Sequence, residues 1–144
     1  MFRKPSLVTR IVVGKSIGFV LGIVGFFTLP YVWPDASLEL RLGALFWYAT
    51  VGAVIGVFGV WSRHPVLDLP LPWFVRAPLV GAWMNFVLTL FAGDVFRAML
   101  GRMFGPESAF ASPYWIVLEG AVVGALIGWA ATRFGGEGPE TARG

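Results

Sequence analysis

Charged or amide side chains in or next to the long apolar stretches of this chain are few: Lys15, Asn85, Asp94, Arg97 and Glu119. Asp94 and Arg97 stand three apart, a spacing at which helical side chains meet on one face. A charge set in hydrocarbon is costly unless it finds a partner or water. Arg97 is therefore expected to bridge Asp94 and Glu119 and so to join the third apolar stretch to the fourth. Two carboxylates around one guanidinium make either a structural ion cluster or, if hydrated, a station for an ion or proton. Asn85 carries an amide that costs several kcal/mol if left unpaired in hydrocarbon, so it is expected to face another helix. Such interhelical bonds are worth ~0.6 to 2 kcal/mol, enough to fix register. Lys15 lies about one turn inside the first stretch, where its stem can snorkel to the headgroups.

Most catalytic chemistry is excluded by what the chain lacks. It has no Cys, hence no disulfide framework, thiolate metal site or Cys nucleophile. His64 is the single histidine, so bis-His haem within one chain is impossible, and ligands for a mononuclear metal are scarce. There is no Ser-His-Asp grouping, no phosphate-cradling glycine loop after a strand, and no nucleic-acid signature. The expectation is a non-enzymatic protein with no catalytic residue, no metal, no cofactor and no nucleic-acid partner. Arg63, His64 and Arg76 lie in or beside one connector and suit contact with anionic lipid.

The elements that must position these residues follow from hydropathy. Hydrophobic residues make up 57% of the 144 residues and charged ones 13%, and the mean hydropathy is +0.75. A soluble domain usually has about a quarter of its residues charged, so lipid is the fitting solvent. Four stretches, about 11–30, 42–61, 77–96 and 114–132, are each long enough to cross ~30 Å of hydrocarbon as a helix. Pro-containing connectors such as "PYVWPDAS" and "FGPESAFASP" separate them, and none is long enough for a soluble domain. The fold class is thus an all-α integral membrane protein, residues 1–144 forming a single four-helix membrane domain. The first stretch follows Arg3, Lys4 and Arg10 like a signal peptide, but its apolar run is longer and no small-x-small cleavage site follows. It is read as a retained helix.

Orientation follows from the basic residues. With the N-terminus inside, Arg3, Lys4, Arg10, Lys15, Arg63, Arg76, Arg133 and Arg143 fall at the inner ends, against Arg41, Arg97 and Arg102 outside. This asymmetry places both termini in the cytoplasm. Trp61, Trp73 and Trp129 would mark the inner interface, and Tyr31, Trp33, Trp47, Tyr114 and Trp115 the outer one. The preponderance of Arg over Lys suits a GC-rich bacterial genome, and with it a multi-pass protein of the inner membrane.

The sequence also repeats itself. "GAVIGVFGVW" (Gly52 to Trp61) returns as "GAVVGALIGW" (Gly120 to Trp129), a shift of 68 that also aligns Trp47 with Trp115. A shift of 67 aligns "VVGKSIGFVL" (Val12 to Leu21) with "LVGAWMNFVL" (Leu79 to Leu88). The implied units are about 11–61 and 78–129, two similar helical hairpins that enter the membrane in the same direction. Within them Gly14, Gly18 and Gly22, then Gly52 and Gly56, then Gly120, Gly124 and Gly128 recur every four residues, and Gly81 belongs to a related stripe with Asn85 and Thr89. Small residues at this spacing let helix backbones approach closely. Two functions fit: a structural or accessory subunit that packs against itself or another membrane protein in the bilayer, or a small oligomeric channel or transporter with a path along helices three and four.

Overall fold

Ser6 sets the start of the first helix, its hydroxyl accepting from the Thr9 backbone N–H. Helix α1 then runs Leu7–Val32. Ser37 does the same for α2 by accepting from Leu40 N, so α2 spans Leu38–Phe58 and begins four residues before the apolar stretch does. The computed structural model describes residues 5–143, and its remaining long helices are α3, Trp73–Phe104, and α4, Trp115–Gly135. Gly105 and Gly136, at φ 94° and 76°, end α3 and α4 in a conformation that favours glycine.

All four helices are long and apolar enough to cross a membrane, which makes this a multi-pass membrane protein by length and composition. Large apolar side chains cover the outside, Phe91 being 85% exposed and Phe27 63%. That is the surface expected where the surrounding solvent is hydrocarbon.

The helix boundaries differ from the hydropathy windows in an instructive way. Helix α3 continues eight residues past Phe96 and takes in Arg97 and Arg102, because nothing in "RAMLGRMF" breaks a helix once the chain can emerge into water. Helix α2 absorbs Glu39 and Arg41 at its start in the same way. Trp47, placed by sequence at the outer interface, consequently lies nine residues into α2 and turns inward. Within α3, Ala92 leaves helical geometry (φ −118°, ψ 16°) and kinks it.

Helix α1 packs mainly on α2 and α3 mainly on α4, while α1 also meets α4. The core holds Val51, Ile55, Ala77, Val123 and Ile127, with Ile17, Leu21, Val80 and Met84 packed around it. Ser6 N donates to Gly135 O at 2.9 Å, so the start of α1 meets the end of α4. Residues 62–71 form a tight turn with one antiparallel bridge, Arg63 to Pro70.

Candidate functional site

Glycines decide how close the helices come and therefore which polar residues meet. A Cβ built on Gly14 would strike the Gly52 carbonyl, and one on Gly56 would lie 2.8 Å from Arg10 O. Gly18 and Gly22 face Tyr48 and Leu45 in the same manner. Between α3 and α4, a Cβ on Gly81 would strike the Gly120 carbonyl, one on Gly124 would strike Ala77 O, and one on Gly128 the Ala77 side chain. Each of these glycines is buried. Backbones this close gain dispersion and weak Cα–H···O contacts where lipid offers no hydrophobic drive.

The register of the second seam places Asn85. It stands one turn beyond Gly81 on the same face of α3, and so reaches the first turns of α4. Its Nδ2 donates to Glu119 Oε2 at 2.8 Å and to Ile116 O at 3.0 Å, and its side chain is 1% exposed. Its Oδ1 accepts from the Trp47 indole N–H at 2.9 Å. The other oxygen of Glu119 accepts from the Tyr48 hydroxyl at 2.8 Å. Thr89, also buried, donates back to Asn85 O at 2.8 Å. Trp47 and Tyr48 from α2, Asn85 from α3 and Glu119 from α4 thus form one connected network about 15 Å into α2 from its start. Three neutral donors, from Trp47, Tyr48 and Asn85, reach its two side-chain acceptors, and among the described residues no buried side-chain polar atom lacks a partner.

The arrangement differs from the expected ion cluster. Glu119 binds Tyr48 and Asn85, not Arg97. Asp94 and Arg97 are both exposed on the C-terminal part of α3, and neither joins an ion pair among the described residues. The reason is register: Asn85, set against α4 by the glycine seam, occupies the reach that Arg97 was expected to have. Lys15 is exposed on α1.

A second polar group closes the end of the bundle where α1 and α3 begin. Arg10 and Arg76 are each the fourth residue of their helix, and they are 1% and 4% exposed. The Arg10 Nε donates to Gly56 O at 3.1 Å, and its Nη1 donates to Thr132 Oγ1 and to Gly136 O. The Arg76 Nη1 donates to Trp61 O and Leu71 O, and its Nη2 pairs with Glu137 Oε1 at 2.7 Å. The Arg10 guanidinium thereby satisfies carbonyls at or just beyond the C-terminal ends of α2 and α4, where the helix dipole favours a cation, while Arg76 satisfies those of the connector between α2 and α3. Sequence reasoning counted these arginines only as charges at the membrane face. Their position four residues into a helix, opposite a glycine-rich helix end, was the available signal.

The Arg63–Trp73 connector carries its own order. Arg63 Nε pairs with Asp68 Oδ1 at 2.7 Å, and His64 Nδ1 accepts from the Val66 and Leu67 amides. Hydrogen bonding from Arg63 and its positive charge hold the Asp68 carboxyl below its ordinary value.

As chemistry, the central network holds the Glu119 carboxyl between a phenol and an amide. Among the described residues no group of three or more His, Asp or Glu is placed to hold a metal. The chain matches no protein-family model, no curated protein and no solved structure.

Proposed function

We propose that the chain is a non-enzymatic structural or accessory subunit of a bacterial inner membrane, built as two similar hairpins with both termini cytoplasmic. One observation carries the reading. The seam between α1 and α2 and the seam between α3 and α4 use matched residues: Gly14 against Gly52 answers Gly81 against Gly120, and Gly56 against Arg10 and Ile11 answers Gly124 against Ala77 and Pro78. The offsets are the same 67 and 68 residues that relate the sequence repeats. Duplication of one hairpin explains both the phrase and the packing.

In this reading the glycine faces are spent inside one chain, as are the buried charges of Arg10 and Arg76. What remains for the bilayer, a second copy or another membrane protein is the apolar outer face. Proteoliposomes holding the purified chain alone should then be no more permeable to ions or protons than empty ones. A conductance abolished by Glu119→Gln would reverse the assignment.

The second reading, a small oligomeric channel or transporter along α3 and α4, is favoured by Glu119 itself. Its carboxylate lies deep in the bundle, held by neutral donors with which a cation or proton could exchange. The same flux assay decides between the two.

A further inference from the structure

Gly25 and Gly43 break the pattern of the other helical glycines in α1 and α2. A Cβ on either would meet nothing within 4 Å, whereas Gly14, Gly18, Gly22, Gly52 and Gly56 all stand against backbone. Both open glycines line one cleft of about 800 Å³ between α1, α2 and the kinked part of α3. That volume is within the roughly 300 to 1,000 Å³ of small-molecule sites. Along α3 the lining runs from Leu88 to Met103, about 22 Å at the helical rise, which exceeds the ~15 Å depth of one hydrocarbon leaflet.

The cleft wall offers almost nothing to a polar ligand. Trp47 and Tyr48 line it, but their N–H and O–H are committed to Asn85 and Glu119, and the Thr28 hydroxyl is bonded to Val24 O. Polar character returns only at the rim. There, Arg102 stacks over the lining residue Trp33 at 4.5 Å and reaches Asp35 at 3.6 Å, too far for a hydrogen bond, so among the described residues its guanidinium makes none. Glu39, at the start of α2, supplies a carboxylate to the same rim. A cation and acids above a hydrocarbon slot match a headgroup that carries both signs above an acyl chain.

We propose that this cleft binds one acyl chain of a zwitterionic phospholipid, phosphatidylethanolamine in chemical class, with its phosphate at Arg102 and its amine toward Glu39 and Asp35. Gly25, Gly43 and the Ala92 kink keep the slot open. The site is independent of whether the chain is a subunit or a conduit.

The test is native mass spectrometry of the full chain in mild detergent with added phosphatidylethanolamine or phosphatidylglycerol. The unmodified protein should retain one phosphatidylethanolamine, and Arg102→Ala should lower its occupancy several-fold. Gly25→Leu with Gly43→Leu should lower it at least tenfold at an unchanged melting temperature. Equal retention by the double variant, no retained lipid, or a homodimer that the double variant dissolves would each overturn the proposal. Should the double variant fail to fold, a phosphatidylethanolamine with a photoreactive group at its chain end decides the matter on the unmodified protein in liposomes. Adducts should concentrate on Trp47, Leu88 and Ile116, the lining residues farthest from Arg102. Adducts confined to outward residues such as Phe91 would overturn the proposal.

Discussion

Replacing Gly22 by Ala should destabilise the bundle, while replacing Gly43 by Ala, on the facing helix, should not. The added methyl at Gly22 would lie 2.5 Å from Leu45 O and 2.8 Å from Leu45 Cα, against the 3.4 Å at which ordinary contact begins. Helices α1 and α2 must therefore part locally by about 0.6 to 0.9 Å, because both neighbours are backbone atoms. Overpacking of this kind costs ~1–3 kcal/mol. Helix propensity returns ~0.5–1 kcal/mol for Gly→Ala, so the net loss is about 0–2.5 kcal/mol. At Gly43 the new methyl meets nothing, and only the propensity gain remains. Circular dichroism melts in one mild detergent should show Gly22→Ala falling by a few degrees and Gly43→Ala level or rising. Shifts of the same sign and size would refute the claim that the α1–α2 seam is set by backbone contact.

The other outcomes are as direct. Asn85→Leu removes the Trp47, Glu119 and Ile116 bonds, about 2 kcal/mol at ~0.6 each, whereas Arg97→Ala should leave the melting temperature unchanged; equal losses would restore the arginine-centred cluster. Arg10→Met should cost more than Lys15→Met, because it strands the carbonyls of Gly56 and Gly136 at ~1–3 kcal/mol for a buried unpaired group; chemical denaturation in detergent reads the difference. The depressed Asp68 carboxyl contributes order that is complete above its unfolded value and is lost as pH falls through its lower folded one. Acidification from neutrality should therefore leave the Arg63–Asp68 turn intact until below the ordinary carboxylate range, as the Asp68 side-chain carbon shift in NMR would report. Reporter fusions after Gly144 and within 63–73 should read cytoplasmic, and those near Asp35 and Glu107 external; an external C-terminus contradicts the assigned orientation.

The number of helices was legible because hydropathy over about 20 residues is a strong signal. Their ends were not, since Ser6 and Ser37 caps and water-facing turns such as "LELR" extend helices beyond the apolar windows. The expected cluster joined Glu119 to Asp94 and Arg97 because buried charges need partners, but that need says nothing of which way a helix faces. Facing was encoded elsewhere: once Gly81 stands against Gly120, Asn85 must reach Ile116 and Glu119. Tyr48 and Trp47 were out of reach of that logic, because the contact of α2 with the other pair depends on tertiary packing that no local spacing records. Arg10 and Arg76 were misjudged for a related reason. Charge counting treats an arginine as a membrane-surface label, yet a guanidinium is also a five-donor cap for the carbonyls at a helix end.

The most direct test of the subunit assignment is native mass spectrometry of the unmodified chain, released from its own membrane in mild detergent. The account predicts a complex in which this chain is stoichiometric with a different membrane protein. A closed homo-oligomer with no foreign component that also passes ions in liposomes would contradict it and favour the conduit along α3 and α4.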